Sequence, residues 1–269
     1  MSGQEQHYSA RDIEERILAA IRAAGLDPEH GLAPEDLGAL DHFHTGGRRA
    51  TLDLLELAPI RAEDRVLDLG AGLGGPARLL ASSRGCQVVC LDQSPDYCSA
   101  ARLLNRLTGL VGRIEVYEGS ALDLPFPDAS FDLVWMQNLG MNIADKRRLY
   151  AEIHHVLKPD GRFAFQEVAA GETGEPYFPL PWATDLGDNF LVPAALLRRD
   201  LEASGFVAEV FEDTSEAELS RPSAGAAAGP LTLAVWVDQI GERSGNARRS
   251  LVEGRVRLVR GIFRAEAEG

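Results

Sequence analysis

Val66-Leu-Asp-Leu-Gly70-Ala-Gly72-Leu-Gly74-Gly75-Pro76 is a short apolar run that breaks into glycines where a helical stretch begins. The run predicts a buried strand, and the glycines predict a tight turn whose backbone can approach a ligand closely. The helix that opens at Pro76 offers free N–H groups to it. Downstream, Gln87–Leu91 reads as a second strand, and its tip carries Asp92, 24 residues after Asp68. Strand, glycine turn, helix, strand and terminal acid form a dinucleotide-type βαβ unit, far more specific together than the glycines alone.

An acid at the tip of the second strand is placed to accept hydrogen bonds from both hydroxyls of an adenosine ribose. That geometry suits NAD, FAD and S-adenosylmethionine alike. Asp68 separates them: an acid inside the glycine loop repels a pyrophosphate but suits the sulfonium and amino group of S-adenosylmethionine. The expected cofactor is therefore S-adenosylmethionine.

Outward from this unit, strands are expected at Arg65–Leu69, Gln87–Leu91, Arg113–Tyr117, Phe131–Trp135, Gly161–Val168 and Phe206–Phe211, with helices near 74–84, 95–107, 145–157 and 193–204. That alternation predicts an α/β fold, a doubly wound, mostly parallel sheet with crossover helices on both faces. Before it, Ser9-Ala-Arg-Asp12 has the form of a capping box, and Ile13, Ile17, Ile21 and Ala24 follow at helical spacing up to Gly25. A second helix is expected from Arg48 to Ala58. Residues 1–60 thus read as a helical prefix or lid, and 61–269 as the main domain. Two stretches interrupt the rhythm. Residues 169–192 interleave Gly and Pro with Tyr177, Phe178, Trp182 and Phe190, as a loop that folds over something. Residues 213–230 are rich in Ala, Gly, Ser and Pro and read as a mobile connection. A helical piece at 231–253 and a last strand from Leu258 to Ala265 follow, so 169–192 and 213–256 become substrate-side insertions.

The chain has 269 residues, 45% of them hydrophobic, and 27 Lys+Arg against 41 Asp+Glu give a net charge of −14. Such a field repels polyanions, so nucleic acid and anionic membrane are not expected partners. Cys86, Cys90 and Cys98 form no C-x-x-C pair, which indicates neither a disulfide framework nor a zinc site. No metal is expected, and a reducing cytoplasm fits. The amino-terminal residues lack an apolar signal region, and no run is long enough to span a bilayer. Homo-oligomerisation through the first helix or 231–253 stays open.

Val66–Gly75, Leu91-Asp-Gln-Ser94, Glu118-Gly-Ser-Ala-Leu-Asp-Leu-Pro-Phe-Pro-Asp-Ala-Ser-Phe-Asp132 and Val156-Leu-Lys-Pro-Asp-Gly161 together resemble the successive motifs of class I S-adenosylmethionine-dependent methyltransferases, over roughly residues 40–212. Phe43-His-Thr-Gly-Gly47, Gly74-Gly-Pro76 and Met141-Asn-Ile-Ala-Asp-Lys146 are similar to the group around sarcosine/dimethylglycine N-methyltransferases and related bacterial small-molecule methyltransferases, among them carbon methylators of prenyl diphosphates. The resemblance implies a Rossmann-like sheet of seven strands, the last antiparallel, and a small-molecule acceptor in secondary metabolism. Carried over by position, Gly70 and Gly72 face the methionine part of the donor and Asp92 its ribose. Gln93 lies beside the adenine, Ala121 and Leu122 meet its edge and face, and Gln137 lies under the methionine backbone.

Methylases of planar nucleobase or amide nitrogens are expected to carry Asn or Asp, then Pro-Pro-Tyr, after the fourth strand; this chain has Gln137-Asn-Leu-Gly-Met141. Methyl transfer draws much of its rate from proximity and desolvation, so a base is not obligatory. Glu167 is the candidate base, beside a solvated strand-end carboxylate as the plain alternative. His42 and His44 could orient an acceptor or close the site, or merely stabilise a turn. Tyr177, Phe178, Trp182 and Phe190 are candidates to wall an apolar acceptor pocket or to stack on a cationic amine, with a satellite core under the loop as the alternative. Arg48, Arg49, Arg248 and Arg249 could hold an anionic acceptor or be ordinary surface arginines. His154 and His155 point to different helix faces and read as structural. Two sharper alternatives remain: carbon methylation of a prenyl diphosphate, with Glu167 taking a proton, and a cyclase that binds the donor without using its methyl. A nucleotide-binding dehydrogenase fails at Asp68.

Overall fold

A computed structural model describes residues 12–38, 40–221 and 229–266. Seven strands, β1 (Arg65–Leu69), β2 (Gln87–Asp92), β3 (Ile114–Glu118), β4 (Phe131–Gln137), β5 (Leu157–Ala170), β6 (Phe206–Asp213) and β7 (Val256–Ala265), form one sheet in the order β3-β2-β1-β4-β5-β7-β6. The first five run parallel, and β7 is antiparallel to both β5 and β6. This is the expected doubly wound architecture, with its switch point between β1 and β4. Ligands bind at such a point, outside the carboxyl ends of the strands.

Alternation within the strands explains the two buried faces. Leu67, Leu69, Val134, Met136 and Phe163 pack with Leu149 and Ile153 of α5 (Lys146–Val156) and Leu197 and Leu201 of α6 (Ala194–Ala203). Val66, Val88, Leu133, Trp135 and Ile262 turn the other way, against Leu54 and Leu55 of α2 (Gly47–Leu57) and Ala77 and Leu80 of α3 (Gly75–Arg84). Both faces being covered, the strands read as continuous apolar runs. Helix α4 (Pro95–Leu107) starts at Ser94, whose Oγ accepts from Tyr97 N at 3.3 Å.

The prefix does not stand apart. Ile13, Ile17 and Ile21 of α1 (Ile13–Ala23) are buried with Leu37, Leu40, Leu73, Tyr97, Leu104 and Trp236. Ser9 of the expected capping box lies outside the described residues, and Asp12 enters the helix at φ 61 without a side-chain cap. The 231–253 piece is two elements, a 3-10 turn at Leu233–Val235 and α8 (Ile240–Val252), separated where Gln239 takes φ 54. Within 213–230 the chain folds into α7 (Ser215–Ser220), and 222–228 lie outside the described residues. β5 starts four residues earlier than expected, because Leu157 already pairs with Phe131 ahead of an irregularity in register. Among the described residues, no helix is long and apolar enough to cross a membrane.

Candidate active site

The carboxyl ends of β1, β2 and β4 open into one cavity of about 1560 Å³. Its floor is the glycine turn. Gly70 N and Ala71 N both donate to Leu91 O, tying the turn to β2. Gly72 N donates to Asp92 Oδ2 and Ser94 N to Asp92 Oδ1, each at 2.9 Å. The Asp92 carboxylate is thus clamped between two loops, and each oxygen keeps a further lone pair for a ligand. Gly72 has φ 54, and a Cβ built on it meets nothing within 4 Å, so a side chain there would project into open cavity.

Asp68 lines the same cavity at 2% exposure. Its Oδ2 has no hydrogen-bond partner among the described residues, and burial raises the carboxyl to about 7. A buried, unpartnered carboxylate oxygen is costly on its own and fits a cationic ligand group. Gln93, Ala121, Leu122 and Gln137 line the cavity with Asp68, Gly70, Gly72 and Asp92. The structure therefore brings together every residue expected on the donor side, with a chemistry that suits S-adenosylmethionine. If bound there, that cofactor would supply the electrophilic methyl group.

The roof comes from the prefix. Thr51 of α2 donates from Oγ1 to Gln137 Oε1 at 3.0 Å, and Trp135 Nε1 donates to the same oxygen at 3.0 Å. Thr51 Oγ1 also pairs with His44 Nε2 at 3.0 Å and His42 Nδ1 at 3.3 Å, and His44 Nδ1 faces Thr45 O at 3.3 Å. Burial pushes the His44 imidazole down to about 3 and lowers that of His42, so both are neutral at neutral pH. Both line the cavity. Beneath them, fully buried Arg78 donates to Asp41 Oδ2 and Leu73 O at 2.7 Å and to Asn105 Oδ1 at 2.9 Å, joining the roof loop to the glycine turn and to α4. A Cβ on Gly75 would lie 2.1 Å from Asp41 O, so only glycine lets the roof loop sit on the first turn of α3. Trp236 completes the roof: it packs edge-on to Phe43 and Tyr97 and donates from Nε1 to Leu40 O at 2.8 Å.

The acceptor side divides the expected residues. Trp182 and Phe190 line the cavity beside Val168, Leu251, Val256 and Leu258. Trp182 Nε1 donates to Asn189 Oδ1 at 2.9 Å, and Phe190 is held through its backbone by Met141 O and by Lys146 Nζ. Tyr177 is corrected: it is not a wall of this cavity. Its hydroxyl donates to Glu253 Oε2 at 2.7 Å, and its ring lies between Arg249 and Arg255, so outlying ionic contacts captured it. Glu167 is corrected as well. It is 2% exposed, absent from the cavity wall, and its Oε1 accepts from Leu139 N at 2.9 Å and Gly140 N at 2.8 Å. Burial raises it to about 7 even so, and it braces the loop after β4 without facing the reacting space.

Thr51, Arg78, Asp41 and Trp236 are missing from the sequence reading. Arg78 carried a visible signal, a lone charge in the apolar run Ala77-Arg78-Leu79-Leu80. Thr51 carried none, since its partners lie 86 residues away or on a different loop.

Residues 67–165 match the family model described as a methyltransferase domain. The chain is 36% identical over 172 residues to a glycine/sarcosine/dimethylglycine N-methyltransferase of Actinopolyspora halophila, covering 64% of this chain and 30% of that one. Across the curated relatives compared, the chain spans between 30% and 62% of their length. Among solved structures it is similar to a geranyl diphosphate C-methyltransferase of Streptomyces coelicolor (TM-score 0.69, 18% identity, 97% of this chain and 96% of that one). It is also similar to the cyclase SpnF (TM-score 0.64, 20% identity, 97% of each chain). At these identities the structural likenesses speak for the fold.

Proposed function

We propose, from the match of residues 67–165 to a methyltransferase domain, that the protein transfers the methyl group of S-adenosylmethionine to a small, partly apolar metabolite. The observation that carries this reading is one continuous cavity with two chemistries. Its donor end holds Asp68 and Asp92, and its other end is walled by Trp182, Phe190, Val168, Leu251 and Leu258. At about 1560 Å³ it exceeds the roughly 300–1,000 Å³ of a single-ligand pocket, leaving room for donor and acceptor together.

Asp92 would hold the ribose, Asp68 the cationic end of the methionine part, and Gln93, Ala121 and Leu122 the adenine. Gln137, its carbonyl already occupied by Thr51 and Trp135 and its amide nitrogen donating to Gln166 Oε1 at 3.4 Å, has one N–H left to offer. The roof over residues 12–60 and 229–253 would exclude water, so that holding the nucleophile in line with the methyl carbon supplies much of the rate. His42 and His44, neutral and on the cavity wall, would orient the acceptor. Carbon methylation of a prenyl diphosphate needs a base for the final proton, and Glu167 turned to the loop amides weakens that version.

Calorimetry with S-adenosylmethionine and S-adenosylhomocysteine tests the donor half. Methyl-labelled donor offered with amines, phenols and prenyl diphosphates tests transfer. Donor binding and label in an apolar acceptor support the reading. A folded protein that binds neither donor form overturns it, and donor binding with rearranged, unlabelled substrate points to cyclase chemistry.

A further inference from the structure

The cavity's acceptor end has a rim whose charges are unequally matched. Four arginines line the cavity: Arg48, Arg49, Arg221 and Arg248. Three are already paired. Arg48 meets Glu35 at 3.2 Å, Arg49 meets Asp53 at 2.8 Å, and Arg221 meets Asp53 at 2.5 Å and Glu218 at 3.3 Å. Arg248 has neither a carboxylate nor a hydrogen-bond partner among the described residues, and it is exposed at the cavity's edge.

Its position on α8 gives that charge a direction. Gly241, Ser244, Gly245, Arg248 and Leu251 all line the cavity, the spacing of one helix face. Small residues on that face leave room for a ligand, and Leu251 continues into the apolar cluster of Val168, Trp182, Val256 and Leu258. The acids on the cavity wall do not answer Arg248. Asp68 and Asp92 belong to the donor end, Asp41 is tied to Arg78, Glu218 to Arg221, and Asp145 caps α5 through Arg148 N. In a chain of net charge −14, a fork of unpaired donors at the edge of an apolar cavity is a site for a planar or tetrahedral anion.

We infer that the acceptor is an amphiphile whose apolar body lies against Trp182, Phe190 and Leu251 and whose anionic group, a carboxylate or a phosphate ester, is held by Arg248 at the cavity's edge. Ser244, one turn before Arg248 on the same face, supplies a further hydroxyl to that group. The inference rests on the methyltransferase reading and adds the head-group class to it. The nucleophilic atom then belongs to the apolar body, since the charged end is drawn toward the edge.

Four probes with one aromatic body test it: 4-phenylbutyrate, 4-phenylbutyl phosphate, 4-phenylbutanol and 4-phenylbutylamine. Each is titrated by calorimetry into the full chain saturated with S-adenosylhomocysteine, as wild type, Arg248→Met and Arg248→Lys. The anionic probes are expected to bind about tenfold or more tighter than the alcohol and the amine. That preference disappears in Arg248→Met and survives in Arg248→Lys, while S-adenosylhomocysteine affinity and the melting temperature stay unchanged. The ratio of butyrate to phosphate affinity identifies the anion. Equal binding of all four probes, a preference that persists in Arg248→Met, or binding of none to the loaded protein overturns the inference. So does a drop in S-adenosylhomocysteine affinity in Arg248→Met, which would assign the arginine to the donor. A wild-type protein that fails to bind S-adenosylhomocysteine sinks the methyltransferase reading itself, and the inference with it.

Discussion

The donor end and the acceptor end of the cavity are built on different principles. At the donor end, ligand contacts come from the backbone of one turn and from side chains at strand tips, within local units such as Val66–Pro76 and Leu91–Ser94. At the acceptor end, the walls come from the 171–192 loop, β7 and α8, which meet through contacts far apart in sequence. A site made of local backbone tolerates few substitutions, and a site made of packed side chains can change its ligand while the sheet stays the same.

Asp92→Ala attacks the donor end most directly. It removes the proposed ribose acceptor and leaves Gly72 N and Ser94 N unpaired, so S-adenosylhomocysteine affinity should fall about 100-fold or more in calorimetry. Retained affinity would mean that the strand-tip acid is a loop clamp alone.

Gly75→Ala and Gly72→Ala divide fold from site. The first pushes a Cβ into Asp41 O, against backbone that cannot rotate away, and should cost about 2–3 kcal/mol in denaturant unfolding. The second meets open space and should weaken donor binding with little change in that unfolding midpoint beyond its φ strain of about 1 kcal/mol. Equal behaviour of the two would erase the distinction.

Asp68 provides a pH test. Its carboxyl titrates near 7 because it is buried, and pairing with a cation requires the ionised form. Below that value binding must expel a proton, so S-adenosylmethionine affinity should rise about fivefold from pH 6 to pH 7 and level off above about pH 8. Asp68→Asn should flatten the profile. At the small end of the scale, Tyr177→Phe should leave acceptor affinity unchanged and Trp182→Phe should reduce it, measured side by side with one acceptor.

The legibility of the two ends follows the same division. The alternation of strands and helices, the glycine turn and Asp92 could be read from the chain, because glycine conformation, strand tips and helix starts are local chemistry; Gln93, Ala121, Leu122 and Gln137 came from the family resemblance, and the structure puts them on the same cavity wall. Trp182 and Phe190 were readable as loop aromatics beside a site. Tyr177, in the same loop, was not separable from them, since its fate depends on Arg249 and Arg255 more than 70 residues away. Glu167 has the residue type and strand-end position of a base, but its direction is decided by the loop amides of Leu139 and Gly140. Helix α8 breaks from the preceding turn at Gln239, a non-glycine residue with positive φ, for which sequence carries almost no signal.

The strand that follows all the others in chain order among the described residues, β7, lies inside the sheet, between β5 and β6. During translation the nascent chain can assemble β1 to β5 and the glycine turn while β6 still lacks its partner strand. The cavity then has its donor floor but neither Val256 nor Leu258 in its wall. Ribosome-bound chains halted before residue 256 should therefore leave the β5 edge and β6 without their partner strand, the interval in which this protein most needs a chaperone.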